Sequence, residues 1–292
     1  MGYRSVFNAD TFKDQTIIVT GGGSGIGRCT AHEIAALGAH VTLVGRKTEK
    51  LEKVHNEIVE DGGRCDFHSC DIRDEDAVKT VVGRIVNDHG RIHGLVNNAG
   101  GQFPSPLLAI SKKGWDAVIA TNLTGGFLMA REVFNQSMSQ QGGSIVNIVA
   151  DMWNGMPGMG HSGAARAGMV NFTQTAAYEW GGAGVRVNAV APGWIMSSGM
   201  DTYPDSFKSV IKTLRAAVPL GRMGNEAEVS SAICFLLSDA AAFISGTTIR
   251  IDGAASQGNV AIMPLQAHNR SQPFGGFHRE EIPDLFNTDG NS

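Results

Sequence analysis

The sequence predicts an α/β fold in which helices cover both faces of a parallel β-sheet. Short β-branched and apolar runs alternate along the chain with longer segments whose apolar residues recur at helical spacing. The strand-like runs are apolar nearly throughout, which is typical of strands buried on both faces of a parallel sheet. A glycine-rich turn follows the first of these strands and precedes the first helix. Together these observations predict a doubly wound, nucleotide-binding sheet.

The individual elements follow from β-branched runs, helical periods and the turn residues between them. We predict strands over 15–20, 40–46, 64–72, 94–100, 143–150, 185–193 and 247–253. We predict helices over 25–37, 47–60, 74–90, 111–140, 162–181 and 226–237. No internal repeat or linker interrupts this alternation up to about residue 257. We therefore expect a single domain over 1–257 and a C-terminal tail over 258–292, which either docks on another surface or stays loose.

Length, charge and cysteine usage exclude several classes of protein. The net charge of −4 and the isoelectric point of about 6.1 argue against a nucleic-acid-binding protein, which would carry a basic face. There is no run of about eighteen apolar residues, so no membrane span is expected. The start, MGYRSVFNADTFKDQ, lacks the apolar core of a signal peptide. The four cysteines show no metal-ligand spacing, so we expect buried free thiols, no metal site and a cytoplasmic location.

The segment TGGGSGIG at 20–27 joins the first strand to the first helix. Glycines at this place let the backbone turn sharply and approach a diphosphate, and the helix N-terminus offers free N–H groups to the anion. We therefore predict a dinucleotide site at this turn. Its predicted contacts are Gly21, Gly23, Ser24, Gly25, Ile26 and Gly27.

The ends of the second and third strands bear on which dinucleotide is bound. NAD sites usually place an acidic residue at the end of the second strand, where it binds the ribose 2′-hydroxyl. Here that strand ends at Gly45 and continues with Arg46 and Lys47. Because a guanidinium pairs with a 2′-phosphate, we predict NADP(H); an ordinary charged turn is the alternative. Asp71 is a candidate to accept from the adenine amino group, with Ile72 against the ring, or else it caps a helix.

Several motifs in the same order resemble those of the short-chain dehydrogenase/reductase family. They are TGGGSGIG, NNAGG at 97–101, the strand SIVNIV and APG at 191–193, and the resemblance covers about residues 12–256. It implies a single-domain Rossmann fold with a seven-stranded parallel sheet, and usually a homotetramer. It also implies a mobile substrate loop over about 195–217 and the family's catalytic asparagine at Asn122. The residues that it implies beside the cofactor are Asn98, Ala99, Gly100, Arg166, Pro192, Gly193 and Ile195.

The chain departs from this family where a tyrosine and a lysine are expected four residues apart. The following Arg-Ala-Gly aligns the family's Tyr-x3-Lys on Ser162 and Arg166. In the family the tyrosine exchanges a proton with a substrate oxygen, and the lysine assists it and holds the nicotinamide ribose. Arg166 keeps a charged donor for the ribose. Neither a serine nor a guanidinium is an effective acid near neutral pH.

NNAGGQFPSP at 97–106 and HSGAARAG at 161–168 resemble the enoyl-CoA reductase branch of the family, which includes peroxisomal trans-2-enoyl-CoA reductase and the 2,4-dienoyl-CoA reductases. Members of this branch lack the standard tyrosine and reduce a carbon–carbon double bond. The resemblance implies an NADPH-dependent reductase of enoyl thioesters, placed in fatty acid metabolism. Two alternatives stay open. One is an NAD(P)-dependent dehydrogenase of terpenoid or fatty alcohols and aldehydes, such as citronellol and citronellal; the other is a cofactor-binding pseudoenzyme.

Four residues are candidate catalytic groups: Asn122, Asp151, Ser162 and Arg166. Asp151 precedes Arg166 by the spacing at which the active tyrosine of mitochondrial-type dienoyl reductases precedes its lysine. It is a proton donor with a pKa raised by an apolar pocket, or else it caps backbone amides. Asn122 holds a water that supplies the proton, or only bridges backbone groups. Ser162 donates to the thioester oxygen, or caps a helix.

The predicted substrate cleft is flanked by residues that suit an apolar acyl or isoprenoid chain, because methionines repack easily; a core role is the alternative. They are Met152, Trp153, Met156, Met159, Trp194, Met196 and Met200. Gln102 and Phe103 are candidates to line the acyl pocket, and His161 touches the substrate or else caps the helix. In the tail, the candidates to meet coenzyme A phosphates are His268, Arg270, His278 and Arg279, with a solvated tail as the alternative. Tyr178 is assigned to the core or to an interface.

Overall fold

A seven-stranded parallel sheet forms the centre of the molecule, as the sequence predicts. The structure is a computed structural model, and it describes residues 2–211, 213–258 and 262–286. The strands are β1 (Thr16–Thr20), β2 (His40–Gly45), β3 (Arg64–Ser69), β4 (Gly94–Asn97), β5 (Gly143–Ile148), β6 (Val185–Pro192), β7 (Ile195–Met196), β8 (Gly224–Asn225) and β9 (Thr248–Ile251). The order across the large sheet is β3-β2-β1-β4-β5-β6-β9, and β7 pairs with β8 separately.

The strand order reverses between β1 and β4, which creates a switch point in the sheet. β1 pairs in parallel with β2 on one side, where Thr16 lies opposite His40, and with β4 on the other, where Ile17 lies opposite Gly94. The loops that follow β1 and β4 therefore diverge at the carboxyl edge. Doubly wound sheets bind their ligands in the crevice at such a point.

Helices cover both faces of the sheet. They are α1 (Gly25–Ala36), α2 (Thr48–Glu60), α3 (Glu75–His89), α4 (Lys112–Ile119), α5 (Gly125–Val133), α6 (Ser139–Gln141), α7 (Gly160–Trp180), α8 (Asp205–Ile211) and α9 (Glu226–Leu237). Ile17 and Val19 pack into a core shared with α1, α2 and α9, while Ile18 packs into a core shared with α3, α5 and α7. This burial on both faces explains why β1 is apolar at successive positions.

The helix predicted over 111–140 is one continuous helical segment that contains two π-helical turns. The turns are Ala120–Thr124, between α4 and α5, and Phe134–Met138, between α5 and α6. Such turns insert a residue into the helical circuit and occur often at functional sites. The first of these turns carries Asn122. The predicted helix is therefore confirmed, but the spacing of its apolar residues does not reveal the π-helical turns.

Several strands end earlier at the carboxyl edge than the sequence predicts. β3 ends at Ser69, β4 at Asn97 and β5 at Ile148. The residues that follow leave the sheet to form loops, and composition alone does not mark the point at which they do so. The predicted substrate loop over 195–217 also contains β7 and α8, which no sequence pattern indicates.

The tail docks on the domain over 268–286, whereas residues 262–267 are exposed. One terminal nitrogen of Arg279 donates to both Glu60 and Asp61 at 2.8 Å, and His278 contacts Asp61 at 2.9 Å. These carboxylates follow or end α2, roughly 20 Å along that helix from the end that borders the crevice. His278 and Arg279 are therefore paired with acids, and their contact with coenzyme A phosphates stays a prediction.

Apolar contacts complete the docking of the tail. Phe277 is 4 % exposed, and the guanidinium of Arg28 lies 5.1 Å above its ring centroid. Further along, Leu285 and Phe286 pack in an apolar cluster that includes Met200. Of the two alternatives for the tail, the structure shows docking over this range.

All four cysteines are free and buried, as predicted. Burial raises the pKa of the Cys29 and Cys234 thiols well above the ordinary value, which keeps them protonated and unreactive. Among the helices that the structure describes, none has the length and apolar character needed to cross a bilayer.

Candidate active site

A cleft of about 650 Å³ opens at the carboxyl edge of the sheet, and residues at or beyond the ends of β1 to β6 line it. It occupies the switch point between β1 and β4. Most residues predicted beside the cofactor lie on its wall. They are Gly21, Gly23, Ser24, Ile26, Arg46, Asp71, Ile72, Asn98, Ala99, Gly100, Arg166, Pro192, Gly193 and Ile195.

The glycine-rich turn leaves no room for side chains. A Cβ atom on Gly21 would lie 2.9 Å from the Cα of Ala99, and one on Gly27 would overlap the Gly21 carbonyl oxygen. Gly21 and Gly25 have φ angles of 66° and 59°, in the region that favours glycine. Gly25 and Gly27 therefore shape the turn without lining the cleft. The N-cap residue of α1, Ser24, makes no side-chain cap, so backbone donors remain for a diphosphate.

Asn98 ties the loop after β4 to the end of β1. Its Nδ2 atom donates to the carbonyl oxygens of Thr20 at 2.9 Å and Gly21 at 3.2 Å. In return, the Thr20 hydroxyl accepts from the backbone N–H groups of Asn98 and Ala99, each at 3.0 Å. These bonds hold the two loops at the distance that the cleft requires.

Positive charge collects where the loops after β2 and β3 meet. The cations on this part of the wall are Arg46, Lys47, Lys50 and Arg73. Asp71 is the carboxylate among the described lining residues, and it accepts from the Arg73 Nε atom at 2.8 Å. Hydrogen bonds from Arg73 lower the pKa of Asp71 to about 2. Because Arg73 neutralises Asp71, the remaining surplus of positive charge suits a bound phosphate.

Arg166 reaches the other end of the cleft from α7. Its Nη1 atom donates to the Ile148 carbonyl oxygen at 2.6 Å, whereas its buried Nε atom has no hydrogen-bond partner among the described residues. A Cβ atom on Gly100 would lie 2.8 Å from both Arg166 Nη2 and Asn122 Oδ1, so glycine makes room for these groups. Burial lowers the pKa of Arg166 to about 10, which leaves it charged at neutral pH. This unpartnered donor beside the cleft fits a nicotinamide ribose.

The π turn Ala120–Thr124 places Asn122 against the loop after β4. The Nδ2 atom donates to the Gly101 carbonyl oxygen at 2.8 Å, and Oδ1 accepts from the Gly101 N–H at 2.9 Å. Asn122 is 3 % exposed. Both ends of the amide therefore bridge to one backbone unit, and the role of Asn122 as a water ligand stays a prediction.

Ser162 is connected to the cleft by two hydrogen bonds. It is fully buried, and its hydroxyl donates to Gln102 Oε1 at 2.6 Å. Gln102 Nε2 in turn donates to the hydroxyl oxygen of Tyr203 at 3.0 Å. Gln102 and Tyr203 line the cleft, but Ser162 does not. The helix-cap alternative for Ser162 is wrong, because the N-cap of α7 is Met159.

Tyr203 is one residue of the cleft that sequence reasoning misses. It directly follows the 3-10 turn Ser198–Thr202, and its ring centroid lies 5.2 Å from that of Phe207. A search for a tyrosine near Ser162 does not find it, because the two residues lie in different elements. The available signal is its place in the substrate loop that the family resemblance implies.

The residues predicted for the substrate cleft divide into two groups. Gln102, Trp194 and Met200 line the cleft. Those outside the lining are Phe103, Met152, Trp153, Met156, Met159, His161 and Met196. His161 is buried, and its Nδ1 atom accepts from the Ser162 N–H at 2.9 Å, so the structure gives it a packing role rather than a substrate contact.

Asp151 lies just behind the wall, beside Ala150, which lines the cleft. Its Oδ1 atom is buried without a hydrogen-bond partner. Burial, together with the negative charge of Asp252, raises the pKa of Asp151. A raised pKa suits a proton donor, but Asp151 is not part of the lining, so its catalytic role stays a prediction.

Three potential metal ligands, His40, Asp66 and His89, lie together near the opposite edge of the sheet, with their ligand atoms within 4.8 Å of one another. The two histidine Nε2 atoms lie 3.1 Å and 2.8 Å from Asp66 Oδ2. Burial opposes the ionisation of Asp66, but the hydrogen bonds from His40 and His89 help to outweigh it, and the pKa falls to about 2. The cluster is internally hydrogen-bonded and contributes nothing to the cleft.

Comparison with known proteins places the chain among the reductases of one family. The family model described as enoyl-(acyl carrier protein) reductase matches residues 21–256. The chain is 38 % identical over 243 residues to the "Probable 2,4-dienoyl-CoA reductase" of Bacillus subtilis (strain 168), which covers 82 % of this chain and 95 % of that protein. It is 37 % identical over 238 residues to a 3-oxoacyl-acyl-carrier-protein reductase of Thermotoga maritima, covering 81 % and 95 % respectively.

A solved structure is more similar still. The citronellol catabolism dehydrogenase of Pseudomonas aeruginosa PAO1 is 67 % identical, with a TM-score of 0.80 over 87 % of this chain and 100 % of that chain. These relatives are named for different substrates, so what they share is the fold and the class of reaction. On these matches, and on a Rossmann-type sheet with a dinucleotide cleft at its switch point, the chain belongs to the short-chain dehydrogenase/reductase family of oxidoreductases.

Proposed function

We propose that this protein is an NADPH-dependent reductase of the carbon–carbon double bond in enoyl thioesters. When bound, the cofactor supplies the hydride that reaches the β-carbon. The observation that carries the proposal is Ser162, which stands where the family has its acid and is buried against Gln102. Carbonyl reduction needs an acid at the reacting oxygen as charge develops there. Reduction of a conjugated alkene tolerates hydrogen bonds at the thioester oxygen instead.

The charge of the cleft supports NADP(H) as the cofactor. Arg46 and two lysines line the end of the cleft where a 2′-phosphate would lie, and Arg73 pairs with Asp71, the carboxylate among the described lining residues. At the other end, Arg166 would hold the nicotinamide ribose through its guanidinium group, since this residue lines the cleft. Binding the ribose does not require Arg166 to lose its proton.

The apolar part of the wall supports an acyl or isoprenoid chain as the substrate. Trp194, Ile195 and Met200 line the cleft directly after β6. Thioether and aromatic side chains adapt to flexible apolar ligands. The similarity to a protein named as a 2,4-dienoyl-CoA reductase supports an enoyl thioester in this place.

A second candidate function is the interconversion of a terpenoid or fatty alcohol with its aldehyde. The observation that favours it is the 67 % identity to a citronellol catabolism dehydrogenase. This reaction needs a proton donor and acceptor at the substrate oxygen, which position 162 does not provide.

A single set of assays separates the candidates. NADPH oxidation is followed with crotonyl-CoA, longer enoyl-CoAs, 2,4-dienoyl-CoAs, acetoacetyl-CoA and citronellal, and NAD(P)⁺ reduction is followed with citronellol. We expect turnover of the enoyl thioesters and little reduction of acetoacetyl-CoA. Oxidation of citronellol with no activity on any enoyl-CoA would establish the second candidate. Inertness toward every substrate, with normal NADPH binding, would indicate a pseudoenzyme.

We also propose a homotetramer in the cytosol. The chain exposes Trp115 by 38 % on α4, Phe127 by 36 % on α5 and Tyr178 by 91 % on α7. Tyr178 is therefore not a core residue, and aromatic groups of this kind are common in interfaces. Buried free thiols are compatible with a reducing compartment. Light scattering should give a mass about four times that of the 30.9 kDa chain.

A further inference from the structure

The chain contains three tyrosines, all within its described part, and only one of them lines the cleft. The hydroxyl of Tyr3 donates to Glu33 at 3.0 Å, beside α1 and away from the cleft. Tyr178 is 91 % exposed on α7. Tyr203 lies on the cleft wall together with Gln102 and Arg166. The loop that follows β6 thus brings a phenol to a site whose usual acid is absent from α7.

We propose that Tyr203 donates the proton that completes the reduction. This inference rests on the proposed function, because a proton donor is needed only if the cleft reduces a substrate. The role is separate from the anchoring role of Arg166, and it competes with the predicted role of Asp151 as the proton donor. Three features of the structure support it: the hydrogen bonds of Tyr203, its charged neighbour and the packing of its loop.

The hydrogen bonds leave the proton of Tyr203 available. Gln102 Oε1 accepts from Ser162 at 2.6 Å, which directs Gln102 Nε2 toward Tyr203, where it donates at 3.0 Å. The phenolic oxygen is therefore an acceptor in this contact. Among the described residues no acceptor lies within hydrogen-bond distance of the Tyr203 proton, so that proton remains for a substrate atom in the cleft. Ser162 becomes a positioning residue, which acts on Tyr203 through Gln102.

A permanent positive charge accompanies this phenol. The Arg166 guanidinium lines the same cleft, and the electrostatic influence of Tyr203 partly offsets the effect of burial on the pKa of Arg166. Arg166 thus places a positive charge on the same cleft wall as the phenol, from the position where the family resemblance implies a lysine.

The loop that carries Tyr203 is held from two sides. The rings of Tyr203 and Phe207 are in contact, and both belong to an apolar cluster that includes Leu285 and Phe286 of the tail. The backbone N–H of Leu285 donates to Asp201 Oδ1 at 3.3 Å. The docked tail thus braces the loop, which limits the conformations of the phenol before a substrate binds.

The proton transfer balances with the proposed reduction. Addition of hydride to the β-carbon moves the electron pair of the double bond onto the α-carbon and the thioester oxygen. The O–H bond of Tyr203 then breaks, its proton forms the new C–H bond at the α-carbon, and the enolate becomes the saturated thioester. Tyr203 is left as a phenolate and takes a proton from water in the open cleft.

The test compares Tyr203→Phe with Tyr178→Phe as a matched control. Loss of a general acid reduces the rate by about 10²–10⁴-fold. We expect kcat of Tyr203→Phe on enoyl-CoA to fall within this range, while the NADPH dissociation constant, from cofactor fluorescence, changes by less than about threefold. The control should match the wild type in both. Phenylalanine keeps the ring contact with Phe207, and a melting curve confirms the fold.

Two further measurements test the role of Tyr203 without relying only on a change in rate. In D₂O the wild type should place deuterium on one face of the α-carbon, and Tyr203→Phe should lose this selectivity. Gln102→Leu removes the hydrogen bond but leaves the phenol, so we expect a loss of about tenfold and an altered pH profile of kcat.

The outcomes separate the two proposals. A Tyr203→Phe variant that keeps the wild-type kcat, pH profile and facial selectivity overturns the role of Tyr203 and leaves the proposed function intact. A wild type that reduces no enoyl thioester overturns the proposed function, and the proton transfer to the α-carbon with it.

Discussion

The Nη1 atom of Arg166 donates to the carbonyl oxygen of Ile148 over 2.6 Å, at the last residue of β5. This bond fixes a side chain of α7 to the carboxyl edge of the sheet, while the Nε atom stays unpartnered. A guanidinium has enough donors for both a structural contact and a ligand contact, whereas an ammonium is a compact point charge. Position 166 thus combines a structural contact with the cofactor contact that we propose for it.

Arg166→Ala should weaken NADPH binding by about 10–100-fold, because it removes a charged donor and leaves the Ile148 carbonyl oxygen without its partner. Arg166→Lys should lose less than about tenfold, since it keeps the charge. Fluorescence titration of NADPH measures both, with Arg84→Ala, exposed on α3, as the control. If Arg166→Ala binds NADPH normally and loses only turnover, the anchoring role is wrong.

The cofactor preference should depend on Arg46. We expect the wild type to bind NADPH more tightly than NADH, and Arg46→Asp to invert this order, because a carboxylate repels the 2′-phosphate and can accept from a 2′-hydroxyl. The change should be about 10–100-fold in the ratio of dissociation constants. Lys79→Asp, a charge reversal at an exposed position of α3, is the control. Equal affinities of the wild type for the two cofactors would contradict the assignment.

The fold and the cofactor end of the cleft could be predicted because local sequence determines them. Strands buried on both faces must be apolar throughout. A turn that approaches a diphosphate needs glycine, as Gly21 shows through its positive φ angle and its contact with Ala99. These constraints act within a few residues of each motif, so a single sequence is enough to predict the strands and the glycine-rich turn.

The proton-transfer end could not be predicted in the same way, because contacts between distant segments form it. Ser162 meets Gln102 from another loop, and Tyr203 enters on a loop braced by Leu285 of the tail. Asp151 follows β5, as predicted, but the neighbouring Ala150 lines the cleft and Asp151 does not. No local pattern reports such relationships.

Asp151 should affect stability more than rate. The pKa of Asp151 in the folded protein is raised above the ordinary 3.8. The stability that the protonated carboxyl contributes is therefore complete below pH 3.8, and it is lost as the pH rises through the raised pKa. Asp151→Asn should therefore melt higher, relative to the wild type, at about pH 7 than at about pH 4. Its rate on enoyl-CoA should stay within about twofold if Tyr203 is the donor. A loss of tenfold or more would identify Asp151 as the donor instead.

Glu226 should give the clearest pH dependence of stability. It is the first residue of α9 and 3 % exposed, and burial raises its pKa from 4.5 to about 8, although Arg28 opposes this shift. The folded protein therefore holds a proton here that the unfolded chain releases. Because the folded-state pKa is raised, the stability due to this group is complete below pH 4.5 and is lost progressively as pH rises to about 8. A helix N-terminus favours an anion, but only by about 0.3–1 kcal/mol, so burial outweighs it.

Glu226→Gln imitates the protonated carboxyl and should remove this loss. We expect its advantage in the free energy of unfolding over the wild type to grow by a few kcal/mol between about pH 5 and pH 8.5, seen as a rise of several degrees in relative Tm. Glu52→Gln, at an exposed position of α2, should show no such change. Equal differences in Tm at the two pH values would mean that Glu226 is already ionised in the folded protein. Its charge would then have to be matched by Arg28, the cation that the structure places in electrostatic contact with it.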